Sequence, residues 1–219
     1  MAVNTLERYR VARFRVFRWR YAVNPAVKFA LALGMAGVTG LLAQLRFPLP
    51  WTPVPITGQT FAVLLAGVLL GSRWGGVSMA LYGGLGLLGV PWFTGWTGGI
   101  AFLAGPTGGY VLGFILAALF IGHMTDRYVR ARSFTAMLGL MLLANFVLIY
   151  LPGVLVLNNY FVNNARSTGL IQTLQLGVLP FIAGDVVKAV AAAAAARGLA
   201  PQQSFNGEAD KDKGRWRLP

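Results

Sequence analysis

The feature that most constrains this chain is an apolar run with two ionisable side chains in its middle: Val178 to Ala196, VLPFIAGDVVKAVAAAAAA, carries Asp185 and Lys188. Apart from Lys28, near an end of another run, these are the only charges placed inside a long hydrophobic segment. On a helix, positions i and i+3 leave from one face, so carboxylate and ammonium stand side by side and can pair. An ionisable group at bilayer depth costs roughly 2.5–3.5 kcal/mol on insertion scales; such groups face the protein interior and usually mark a substrate or ion path. The bland alternative is a neutralised pair that only pins helix packing.

A membrane setting follows from composition, since 56% of the 219 residues are hydrophobic and 11% charged, which is unlike a soluble domain. A spanning helix needs roughly 20 mostly apolar residues, so the chain has room for about six. The expected fold is an all-α integral membrane protein with six transmembrane helices, both termini cytoplasmic, in the cytoplasmic (inner) membrane. Residues 1–24 form a basic arm, 25–197 the membrane domain, and 198–219 a polar tail that reads as disordered. The spans are expected near 25–45, 61–70, 76–90, 107–124, 134–157 and 178–196, with a turn at 71–75 and a short surface helix near 171–177. The arm is not a signal peptide, because the apolar run after it is long enough to span and its small residues crowd its start.

Basic residues set the orientation. Alternating the loops puts six arginines of the arm, Lys28, Arg73, three in the turn 126–132, Arg197 and four in the tail on the inside, sixteen in all, against Arg46 and Arg166 outside. The net charge of +13 therefore reads as topology and anionic lipid headgroups, not as a nucleic-acid surface.

Two outer segments carry the shape of a site. Arg46 to Thr60, RFPLPWTPVPITGQT, has four prolines; they impose an extended path, which is tolerated at membrane level when it covers a cavity, as a lid does, the alternative being a plain interhelical loop. Pro91 to Tyr110 interleaves Trp92, Phe93 and Trp96 with glycines and carries no charge, as a shaped apolar binding loop would; the alternative is an interfacial aromatic belt. In the fifth span, Asn145 and Tyr150 are polar and need partners. In the first, Ala26, Ala30 and Gly34 recur every four residues with Ala32, Ala36 and Gly40 alongside. Such a face lets another helix approach closely, either within this chain or from a separate subunit.

Other chemistries fit poorly. The chain has no cysteine and one histidine, His123, so no disulfide, thiolate nucleophile or metal site is expected, and no enzyme acting in the lipid phase. Gly84 to Gly89 formally matches a dinucleotide fingerprint but follows no strand, and the match is accidental.

Four ordered motifs, PWTPVPITGQTFAVLLAGVLLG (51–72), LYGGLGLLGVPWFTG (81–95), GPTGGYVLGF (105–114) and VLPFIAGDVVKA (178–189), closely resemble the BioY family, the biotin-binding S components of energy-coupling-factor transporters. The resemblance covers roughly residues 26–197. It implies a six-helix protein that captures biotin at the outer side and assembles with a transmembrane coupling (T) subunit and two ABC-type ATPases. It also favours the docking use of Ala26, Ala30 and Gly34. No GxxxxGK[ST] sequence occurs, so ATP hydrolysis would belong to another chain. On this reading biotin is a transported ligand and no cofactor is needed. Asp185 would accept from the ureido N–H groups and Lys188 would donate to the ureido carbonyl. The loop with Trp92 and Phe93 would wall the rings, and the resemblance adds Tyr110, Thr107, Gln59 and Asn145 to the pocket. The rival readings are an S component for a different vitamin, or a biotin carrier acting without the ATPase module.

Overall fold

The computed structural model describes residues 2–164, 169–204 and 207–210; of the basic residues counted above, Arg166 and the four beyond residue 210 lie outside that set. The chain is helical almost throughout. Helix α1 (Ala2–Ala22) is followed by α2 (Pro25–Gln44), a two-stranded antiparallel hairpin of β1 (Arg46–Phe47) and β2 (Ile56–Thr57), and α3 (Gln59–Leu87). Then come α4 (Gly108–Arg127), α5 (Phe134–Leu143), a π-helical stretch Ala144–Ile149, α6 (Tyr150–Asn163), α7 (Leu170–Gly177) and α8 (Ile182–Leu199). Among the described residues, five helical stretches are long and apolar enough to cross a membrane: 25–44, 59–87, 108–127, 134–163 and 170–199.

The stretch 59–87 is not straight. Gly71 has φ 80° and ψ 177°, a conformation in which a Cβ is strained. Across the break Gln59 Nε2 donates to Tyr82 Oη at 2.7 Å, whereas a straight helix rises about 1.5 Å per residue and would hold residues 23 apart some 35 Å from each other. The two limbs therefore run back to back. A Cβ on Gly75 would lie 3.0 Å from Gly67 Cα, so this contact depends on both being glycine. The five-residue turn expected at 71–75 is a single residue, with helix resuming at once.

Glycines also bring α4 against its neighbours. A Cβ at Gly67 would stand 2.6 Å from Ala118 O, and one at Gly113 2.5 Å from Ile149 Cα. Around these contacts lies a core that includes Leu64, Met79, Tyr82, Phe114, Ile121, Met141, Leu157 and Ala192. Helix α2 turns Ala32, Ala36, Gly40 and Ala43 inward, while Ala26, Ala30 and Gly34 are exposed and a Cβ at Gly34 would meet nothing within 4 Å.

Two boundaries differ from expectation. The span expected over 134–157 continues as helix through Asn163, and Asn158 Oδ1 there accepts from Thr173 Oγ1 at 3.0 Å. The tail expected to be disordered from 198 is packed over its described part. Ala200 and Glu208 are buried, because Glu208 has a buried arginine, Arg132, to pair with at 2.8 Å. The basic arm is itself a helix and lies across the end of the bundle where α4 finishes. Tyr9 Oη donates to Gly198 O at 2.6 Å, Arg13 Nη1 to Arg197 O at 3.1 Å and Arg20 Nη1 to Val68 O at 2.6 Å.

Candidate substrate-binding site

At the opposite end, where α4 begins, a cleft of about 540 Å³, counting its open mouth, lies between the hairpin lid, the start of α3, the loop that precedes α4, α4 itself, the π-helical stretch and α8. The lid supplies Val54, Pro55 and Thr57, with Gln59 and Thr60 from the start of α3. Phe102, Tyr110, Phe114, Ile149 and Phe181 make an apolar wall, and Asp185 and Lys188 lie at one side.

Asp185 is 3% exposed and is held by four donors from three other parts of the fold and its own helix. Oδ2 accepts from Asn145 Nδ2 at 2.9 Å and from Tyr150 Oη; Oδ1 pairs with Lys188 Nζ and takes a long contact from Thr60 Oγ1 at 3.5 Å. A buried carboxylate needs this company, because an unpaired charge in an apolar interior costs several kcal/mol. Lys188 also donates to Thr57 O of the lid at 2.9 Å, so one ammonium ties the lid strand to the carboxylate. Of its three N–H donors, one has no partner among the described residues.

The sequence-predicted residues fall into three groups. Asp185, Lys188, Tyr110, Thr107 and Gln59 all line the cleft. Tyr110 is oriented by donating to Gly177 O at 2.8 Å, and Gln59 by Thr57 Oγ1 donating to its Oε1 at 2.8 Å as its own amide reaches Tyr82. Asn145 lies behind the cleft wall and reaches the site through Asp185. Trp92 and Phe93, expected to wall the ligand, are away from it. The Phe93 ring is fully buried over Gly86, Trp92 Nε1 donates to Tyr82 O at 2.9 Å, and Phe102, stacked on Phe93 at 4.0 Å, forms the wall instead. The small Gly86 leaves the space that draws Phe93 inward. Ala26, Ala30 and Gly34 are outside the cleft, on the exposed face of α2.

Sequence reasoning missed Thr60, Thr94, Phe102 and Phe181 as cleft residues. It noted that Tyr150 needs a partner without assigning one. The usable signal was that polar Tyr150 and ionisable Asp185 occur in different apolar runs, since two such groups in lipid seek each other.

The profile of the BioY family matches residues 15–204. The chain belongs to the BioY family. A relative from Methanothermobacter thermautotrophicus, named probable biotin transporter BioY, is 48% identical over 157 residues, 71% of this chain and 100% of its own length. Biotin transporter BioY of Thermotoga maritima is 39% identical over 145 residues, 66% of this chain and 80% of its own, and that of Rhizobium etli 33% over 174 residues, 78% and 89%. Among solved structures, the crystal structure of an S-component for biotin from an ECF-type ABC transporter superposes with a TM-score of 0.68 at 28% identity, covering 80% of this chain and 90% of that one. The BioY profile reaches past α8 to residue 204, into the tail segment whose carbonyls at Pro201 and Gln203 accept from Arg132.

Proposed function

We propose that this protein captures biotin at the outer face of the cytoplasmic membrane and hands it to an energised transporter. The observation that carries this reading is the Asp185–Lys188 pair opening into an apolar cleft beneath a lid, in a chain whose relatives are named biotin transporters. A ureido ring offers N–H donors beside a carbonyl acceptor; a carboxylate next to an ammonium is the complementary arrangement, and charge-assisted bonds are the strong kind. Phe102, Tyr110 and Phe114 suit the thioether ring and alkyl chain.

The rest of the assignment builds on that site. Counting the two limbs of α3 separately gives six crossings with both termini cytoplasmic, an arrangement supported by the excess of arginine and lysine at the end opposite the cleft. The exposed Ala26, Ala30 and Gly34 face of α2 suits a coupling (T) subunit, with two ABC-type ATPases supplying the energy.

Equilibrium dialysis of the purified protein with labelled biotin tests the central claim. Saturable binding that unlabelled biotin displaces and other vitamins do not is expected; preference for another vitamin overturns it. Co-purification with a coupling subunit, weakened by Ala30→Leu while biotin binding is retained, is the matching test of the docking face.

A further inference from the structure

We propose that the π-helical turn Ala144–Ile149 is a positioning device for ligand recognition: it brings Asn145 and Tyr150 onto one oxygen of Asp185 and so reserves the other oxygen for the ligand's N–H. The proposal rests on the biotin reading of the cleft. In a regular α-helix, residues five apart point about 140° away from each other around the axis, so Asn145 and Tyr150 could not serve one group. Here Tyr150 N–H donates to Asn145 O, the i→i+5 bond of a π turn. The extra residue in the turn swings the two side chains toward one face, and both reach Asp185 Oδ2.

Three further observations indicate that the turn serves the carboxylate. Asn145 is 1% exposed, and while its Nδ2 donates to Asp185, its Oδ1 has no hydrogen-bond partner among the described residues. The amide thus holds the carboxylate while its own oxygen stays unpaired, at a desolvation cost. The Tyr150 ring is fixed on two sides, edge-on to Tyr110 at 6.0 Å and to Phe146 at 5.4 Å. The turn itself is pinned by α4, since Gly113 admits the Ile149 backbone where a Cβ would stand 2.5 Å from Ile149 Cα.

With two donors on Oδ2, that oxygen is saturated in the plane of the carboxylate. Oδ1 pairs with Lys188 and takes only a long bond from Thr60 Oγ1 at 3.5 Å, the weakest of the four and the one a ligand N–H would replace. The Asp185 side of the cleft therefore reads one N–H of the ureido ring, through Oδ1, and its aim depends on Asn145 and Tyr150.

The test uses four ligands with the purified full chain: biotin, the two isomers of biotin methylated on one or the other ureido nitrogen, and biotin methyl ester. In the wild type one of the two N-methyl isomers should bind at least tenfold more weakly than biotin. In Tyr150→Phe, and independently in Asn145→Leu, biotin affinity should fall about tenfold and the penalty for that isomer should shrink, while the ratio of biotin to its methyl ester stays unchanged. A residue that only supports folding lowers the affinity for all ligands by one factor, and that pattern, or no change at all, overturns the proposal. Two variants are used because either one alone can fail to fold; the surviving variant is read in the same way. A wild type that binds no biotin sinks the biotin reading, whereas a wild type that binds biotin beside variants with undiminished isomer selectivity sinks this proposal alone.

Discussion

Two buried ion pairs stand at opposite ends of the bundle, and they are finished differently. At the end where α4 stops, Arg132 and Glu208 pair at 2.8 Å with both side chains fully buried. Arg132 Nε donates to Thr125 O, its Nη1 to Pro201 O and Gln203 O, and Glu208 Oε2 accepts from Ser204 Oγ. The guanidinium also lies 5.0 Å from the Phe17 ring of α1. At the cleft, the Lys188 side chain keeps 19% of its surface exposed, and both Asp185 and Lys188 line the cavity. A buried pair offsets its desolvation only when further hydrogen bonds satisfy both partners. The Arg132–Glu208 pair has been closed in that way and has nothing left to offer a ligand. The cleft pair keeps a Lys188 N–H without a partner among the described residues and a weak bond at Asp185 Oδ1, and that unused capacity is what makes it a candidate binding site.

The largest effect is expected from opening the closed pair. Glu208→Ala strands the Arg132 guanidinium in a dry site, which costs about 3–5 kcal/mol and should lower the melting temperature by roughly 6–20 °C for a chain of this size. Biotin affinity, measured below the melt, should change less than twofold, because the cleft lies at the other end. A thermal melt beside a dialysis isotherm checks both. Lost affinity with an unchanged melt would break the contrast between the two pairs.

The cleft pair should respond the other way. Asp185→Asn removes the charge and leaves Lys188 without its counter-ion, which should weaken biotin by about 2–5 kcal/mol, or roughly 30-fold to several thousand-fold. The double change Asp185→Asn with Lys188→Met decides between the readings. A structural pair is rescued when both charges leave, with stability and affinity restored together; a ligand pair can regain stability but not affinity. Near-normal biotin binding in a well-folded double variant would mean that both pairs are structural.

The same contrast accounts for what was legible in the sequence. The helical runs were readable because lipid demands about 20 apolar residues and little else does, and Asp185 and Lys188 stood out because charge is so rare inside such runs. The reversal at Gly71 was foreseen as a turn, though not its sharpness, which depends on Gly67 meeting Gly75. The closed pair was invisible. Glu208 sits in a polar segment composed like a disordered tail, and its partner lies 76 residues away, so no local pattern marks it. Asn145 and Tyr150 were noticed as polar, but their convergence on Asp185 requires a π turn that hydropathy does not signal. The direction of Trp92 and Phe93 was misread because an aromatic beside glycines fits a cleft wall and a packed interior equally well, and the gap over Gly86 decided it.

The smallest effect concerns how the tail's end is held. Asp210 accepts from Val129 N at 2.6 Å and Arg130 N at 2.9 Å, capping the turn that carries Arg132 into its pocket. Desolvation pulls its carboxyl upward, but the two backbone donors outweigh that, and the group lies below the usual carboxylate range. A carboxyl depressed in the folded state contributes stability that is present above its unfolded value and lost as pH falls through its folded one. Asp210→Asn should therefore melt slightly below the wild type at neutral pH, by about 1 kcal/mol or less for a capping group this exposed. The gap between the two melts should narrow on acidification below about pH 4, the ordinary carboxylate value, as the wild type loses what the variant never had. Glu208→Ala should remain far less stable than either across the same range, because its defect is a stranded arginine that acid does not discharge. A gap for Asp210→Asn that persists in acid would show that the tail is held by the Arg132 pair alone and that the capping carboxylate contributes nothing to it.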